Sequence, residues 1–281
     1  MSDSVKEVLA DWEFPIWLTL SIAITAIIYL RGWIKIRKTR PSQFTSFQLL
    51  SFLAGLAILW MAVGSPMDGF ADALLSAHMV EHLLIMSVVP PLLLLGLPGV
   101  PLLRGLPLIF LQLFVGPLMR LSWMQRYARW LTSPVAAWMA MNLTYLVWHT
   151  PAAYDFALEH EAWHAVEHLC FLFTSLLFWW HIVQPWPSSP RLKGWGVLIY
   201  LVSADVINTL LCAFLAFCDR PIYEFYVRNS NPFHVSLVDD QVLGAAIMWV
   251  IGSLAFLLPG IVCTMQLLRP VHLTEVSVSF S

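Results

Sequence analysis

Long apolar runs separated by short polar connections make up almost the whole chain. They fall at residues 14–30, 47–63, 73–95, 134–148, 162–183, 195–217 and 241–267. Most are continuous stretches without amphipathic stripes, and about 17–25 such residues cross a hydrocarbon core about 30 Å thick. The pattern predicts an all-α polytopic membrane protein: a bundle of about seven transmembrane helices in one domain over residues 1–269, then a tail at 270–281. A shorter apolar run at 106–119, flanked by Arg104, Arg120, Arg126 and Arg129, is expected to be interfacial, re-entrant or an eighth span. Pro90 and Pro91 should kink the third span, because proline supplies no backbone N–H.

Charge supplies an orientation. The densest basic cluster, Arg31, Lys35, Arg37, Lys38 and Arg40, follows the first run, and the positive-inside rule makes that loop cytoplasmic. The N-terminus is then expected outside and the C-terminus cytoplasmic. If 106–119 does not cross, twelve of the fifteen basic residues face inward; if it does, only eight do, so the rule favours a segment that does not cross. Trp179, Trp180 and Trp186 are expected to form an aromatic belt at the inner interface. Asp3, Glu7, Asp11 and Glu13 precede the first run where a signal peptide would be basic, so that segment is expected to be retained.

Composition agrees with the pattern. The 281 residues are 59% hydrophobic and 11% charged, against about 25% charged in soluble domains. The formal net charge is −2, and no basic patch exists beyond the juxtamembrane cluster, which excludes nucleic acid and leaves membrane lipid as the surrounding partner. Cys170, Cys212, Cys218 and Cys263 are scattered through apolar segments without C-x-C or C-x-x-C spacing, as small buried hydrophobes would be.

The chemistry concentrates in a duplicated pattern, H-M-V-E-H from His78 to His82 and H-A-V-E-H from His164 to His168. On a helix with 3.6 residues per turn, His160, His164 and His168 fall within about 80° of arc, with Glu167 beside them. Under the expected topology both copies begin spans running from outside to inside, so two helices can present matched ligands at one depth, with His149 on the same rim. Ionisable groups inside spans cost roughly 2.5–3.5 kcal/mol and turn toward a partner or a cavity. Neutral imidazole suits copper, zinc and iron, and Glu81 and Glu167 can ligate or orient the rings. Met79 and Met86 add soft thioethers suited to cuprous copper, although apolar spans also use Met as packing. An interhelical hydrogen-bond network is the structural alternative for the histidines. Asp205 and Asn208, one turn apart in the sixth run, read either as a packing pair or as an ion relay. Asp239 and Asp240 read as the acidic first turn of the last helix.

Several stretches in order resemble the CtaG family of cytochrome c oxidase assembly proteins associated with caa3-type oxidases. They are H-M-V-E-H-L-L-I-M from His78, W-H-T-P-A-A-Y-D-F-A-L from Trp148, H-A-V-E-H-L-C-F from His164, F-W-W at Phe178, R-P-I-Y at Arg220 and D-Q-V-L-G-A-A-I-M-W from Asp240. The resemblance implies a non-catalytic factor in a bacterial plasma membrane that helps metallate a haem-copper oxidase, with the oxidase subunits and a copper donor protein as partners. It marks His78, His82, His149, His164, His168 and Asp240 as motif positions. Two other classes share the histidines: an intramembrane zinc hydrolase, since H-x-x-E-H is an inverted zinc-protease pattern, and a membrane cytochrome with histidine-ligated haem.

Overall fold

The computed structural model describes residues 5–6, 12–229 and 232–268. Asp3, Glu7 and Asp11 of the N-terminal segment, Arg269, His272 and the tail at 270–281 lie outside the described residues. Among the described residues every regular element is helical. In chain order we number them α1 (Ile16–Arg37), α2 (Ser46–Gly64), α3 (Met67–Ala73), α4 (Leu75–Leu95), α5 (Gly99–Gly105), α6 (Leu108–Arg120) and α7 (Ser122–Leu131). They continue with α8 (Pro134–Trp148), α9 (Pro151–Leu158), α10 (Glu161–Val183), α11 (Trp195–Ala216), α12 (Glu224–Arg228) and α13 (Leu237–Leu267).

Six of these, α1, α2, α4, α10, α11 and α13, are long and apolar enough to cross a membrane. Their outward faces carry Trp17, Phe173, Leu210 and Val250, all more than half exposed, which is the surface hydrocarbon requires and water does not. A seventh crossing is available from α5 and α6 together, bent by 109° at their junction as a broken span or a re-entrant loop. The expected fourth span at 134–148 is shorter than the expectation needs. Helix α8 has 15 residues, about 22 Å at 1.5 Å per residue, against about 30 Å of hydrocarbon. It begins at a serine cap, Ser133, with Pro134 in the first turn, and it ends at His149. Even so, Ala137, Met141, Asn142 and Tyr145 bury one side of it inside the bundle.

Helix α4 is not kinked in the simple way its prolines suggest. It passes through a π turn at Leu84–Val88, where the Val89 N–H donates to the Leu84 carbonyl five residues back. Pro90 cannot donate to Met86 four residues earlier, and the indole of Trp179 takes that carbonyl instead, at 2.8 Å. Trp179 is therefore a core residue, 3% exposed, and not part of an interfacial belt. Trp186 lies edge-on to Phe44 with Arg40 over its ring.

Backbone contact fixes the first helices. A Cβ on Gly32 would stand 1.8 Å from the Pro101 carbonyl oxygen, and one on Gly105 would stand 1.8 Å from that of Ile28. Helices α1 and α5 thus meet main chain to main chain, as small residues permit in membranes. Tyr29 seals the same corner, its hydroxyl donating to the Gly96 carbonyl at 2.6 Å while its ring stacks on Phe52 at 3.8 Å. Gly32→Ala or Gly105→Ala should each lower stability by about 1–3 kcal/mol or more through overpacking, seen as a reduced melting temperature in detergent.

Candidate metal centre

Helices α4 and α10 run in the same direction through the middle of the bundle, His78 beside His164 and Met86 beside Trp179. Each places its motif at i, i+3 and i+4, so two imidazoles and a carboxylate leave each helix on one side. The copies meet reciprocally. His82 Nε2 lies 3.6 Å from Glu167 Oε1, and His168 Nε2 lies 3.5 Å from Glu81 Oε1. The first histidines stack across the interface with ring centres 5.2 Å apart. His78, Glu81, His82, Glu167 and His168 are all at most 6% exposed.

This cluster is short of hydrogen bonds. His78 Nε2 and His82 Nε2 are 2.8 Å apart and share one proton between them. Both Nδ1 atoms, His164 Nε2, His168 Nε2 and all four carboxylate oxygens of Glu81 and Glu167 are buried without a hydrogen-bond partner. The two cross-helix contacts are at or beyond the outer limit of a hydrogen bond, so they orient these groups without satisfying them. An interhelical hydrogen-bond network would pair its members, because unpaired polar groups in a dry interior are costly. Convergent ring nitrogens and carboxylate oxygens without partners are the ligand atoms that a cation site requires. Two overlapping sets bring one ligand atom per residue within 4.8 Å of one another: His78, His82 and His168, and His78, His164 and Glu167. His78 belongs to both.

His149, at the end of α8, adds a further nitrogen. Its Nδ1 donates to the Tyr145 carbonyl at 2.8 Å; a carbonyl only accepts, so the lone pair is on Nε2, which is buried and unpartnered. The ring centre lies 5.6 Å from that of His82. Asp240 serves a different purpose. It accepts from the Leu75 N–H at 2.7 Å, the Ser76 N–H at 3.3 Å and the Ser76 hydroxyl, capping from α13 the first turn of the helix that carries His78. Gln241 beside it accepts from the Ile222 N–H and donates to the Leu215 carbonyl, tying down the loop after α11.

The other sequence candidates are elsewhere. His160 stands before α10, exposed, with Nδ1 donating to the Phe156 carbonyl at 2.9 Å. Met79 packs toward α13, where a Cβ on Gly244 would meet its Cγ at 3.2 Å. Met86 is one turn below His82 and faces a cavity. Asp205 accepts from the Ser253 hydroxyl at 2.7 Å and Asn208 from the Tyr145 hydroxyl at 2.9 Å, bonds that join α11 to α13 and to α8. Sequence reasoning passed over a group of tyrosines that closes the cluster. Tyr154 lies 5.1 Å from His78 between ring centres and stacks on Tyr223 at 3.9 Å; Tyr226 donates to the Ala71 carbonyl at 2.9 Å. Their signal was present in P-A-A-Y and R-P-I-Y, but aromatic spacing alone did not separate them from core.

A sequence profile described as cytochrome c oxidase caa3 assembly factor (Caa3_CtaG) matches residues 27–270. The chain belongs to this family of assembly factors. All the cluster residues lie within the match. An uncharacterized protein of Mycobacterium bovis is 27% identical over 255 residues, covering 89% of this chain and 38% of its own length. One of Mycobacterium leprae is 25% identical over 267 residues, covering 93% of this chain and 40% of its own. The chain thus spans about two fifths of the length of these curated relatives. No solved structure matches it.

Outside the spans, on α3, burial and the nearby Asp72 and Glu161 carboxylates push Asp68 up from its ordinary value of 3.8 to about 7. A raised folded-state value means that its contribution to stability is fully present below 3.8 and is lost as pH rises through about 7. Asp68→Asn should therefore flatten the fall in thermal stability across that window, measured by unfolding in detergent at graded pH. Asp240→Ala leaves three donors at the start of α4 unpaired and should cost about 1–3 kcal/mol in the same assay.

Proposed function

We propose that this chain acts in the assembly of a haem-copper cytochrome c oxidase by holding copper, as cargo, at the reciprocal His–Glu cluster of α4 and α10. The observation that carries the reading is the buried set of imidazole nitrogens and carboxylate oxygens that converge without hydrogen-bond partners. Neutral imidazoles suit copper, and the carboxylates offset the charge of a cation in a space with little else to stabilise it. Membership of a cytochrome c oxidase assembly-factor family supports an oxidase as the client.

The residues have separable tasks. His78, His82, His164 and His168 offer the nitrogens. Glu81 and Glu167 orient the opposite helix's second histidine, or ligate beside it. His78 is common to both ligand sets, so a cargo ion can pass between them one bond at a time without returning to water. Asp240 and Gln241 hold the frame, and the tyrosines close one side. The basic loop after α1 supports, through the positive-inside rule, a cluster in the outer half of a bacterial plasma membrane, open to a copper donor outside the cytoplasm.

Replacing His78 and His82, or His164 and His168, with alanine should abolish copper binding by the purified protein. In cells each replacement should lower copper content and activity of the oxidase while the protein remains inserted. Oxidase maturation that survives both double replacements overturns the reading. Zinc bound to the exclusion of copper, or a Soret band, would assign the cluster to the hydrolase or cytochrome class instead.

A further inference from the structure

His82 is also part of the wall of a second space. Next to it the packing leaves a cavity of about 40 Å³ whose lining includes His82, Met86, Met141, Tyr145, Asn208 and Met248. The three methionines come from three elements, the π turn of α4, α8 and α13, and each is at most 8% exposed. Methionine is the residue best able to fill an irregular gap, and close-packed interiors leave few voids larger than a water molecule. Three methionines around an unfilled space are therefore poorly explained as packing. Several of the polar groups in its lining are already engaged with one another or with the backbone. The Tyr145 hydroxyl donates to Asn208 Oδ1 at 2.9 Å, and Asn142 Nδ2 donates to the Trp138 carbonyl at 2.8 Å, so these lining groups already have partners. Asn208 Nδ2, which has none, lies against Gly252, where a Cβ would stand 3.0 Å from it. His82 Nδ1, also without a partner, and the Ser87 hydroxyl are further polar groups of a wall that is otherwise mostly apolar.

Thioethers are soft ligands that select Cu(I) over zinc and harder cations. We propose that this cavity is a second metal site, a thioether chamber of Met86, Met141 and Met248 that takes Cu(I), or silver as its soft analogue, from the His–Glu cluster through His82. The inference rests on the copper reading of that cluster. The step is an exchange of ligands: nitrogen bonds from the α10 histidines break as sulfur bonds form, His82 bridges the two positions, and the metal stays monovalent with no electron or proton transferred.

The test uses the full chain purified in detergent. Cu(I) is supplied anaerobically against a competing chelator, and copper-edge X-ray absorption reads the ligand atoms. Wild type should show sulfur scattering beside nitrogen. Met86→Leu, Met141→Leu and Met248→Leu combined should lose the sulfur signal and weaken silver binding by at least about tenfold, while the cobalt(II) spectrum of the histidine cluster is unchanged. The same changes made singly keep nearly the same volume and should each weaken silver binding, which covers the case in which the triple variant does not fold. Nitrogen and oxygen scattering alone in wild type, or silver affinity unchanged in all three single variants, overturns the thioether chamber and leaves the cluster standing. Absence of both the cobalt spectrum and any copper binding in wild type overturns the cluster reading itself.

Discussion

Two carboxylates and three imidazoles are buried between α4 and α10, with a fourth, His164, half-buried beside them, and most of their hydrogen-bonding atoms are unpaired, so the surrounding structure has to hold them there against their tendency to find partners. Side chains free to rotate would pair with one another or with the backbone. The reciprocal arrangement limits this, because each glutamate faces the second histidine of the other helix at a distance too long to satisfy it. The parallel course of the two helices makes the arrangement symmetric. It places equivalent positions of the two motifs level with each other.

Much of the remaining chain supports that pair. Asp240 caps the start of α4 from α13, and Gly244 lets the two helices approach closely enough for Met79 to pack between them. Trp179 reaches from α10 to the carbonyl that Pro90 leaves free, so one proline both reshapes α4 and creates a tie to its partner helix. Tyr145 and Asn208 connect α8 to α11 behind the site, and Tyr223 donates to the His149 carbonyl from in front of it. Helices α1 and α5 meet through glycines at the far side and carry none of the cluster ligands.

On the proposed reading, the cluster would hold a cation as cargo. The cluster has more candidate ligand atoms than one ion needs, distributed over overlapping sets, which is what the proposed transfer of an ion would use. Such a site fits a family whose members assist in building another enzyme. The short α8 brings His149 and Met141 into the bundle from one helix, so a single element contributes to the histidine cluster and to the cavity beside it.

The apolar runs, their number to within one, and the duplicated H-x-x-E-H were legible in the sequence, because a bilayer imposes length and hydrophobicity on each segment independently of the others. Helical periodicity likewise put the two histidines and the glutamate of each copy on one face. Spacing along one helix says nothing about which face of another it meets. Only the tertiary structure decided that His82 faces Glu167, that Asp240 caps a helix distant in sequence, that His160 stands apart, and that Trp179 belongs to the core. It also decided that Met79 packs against Gly244 while Met86 lines the cavity beside His82, because the long-range packing of α8, α10 and α13 chooses what each one meets.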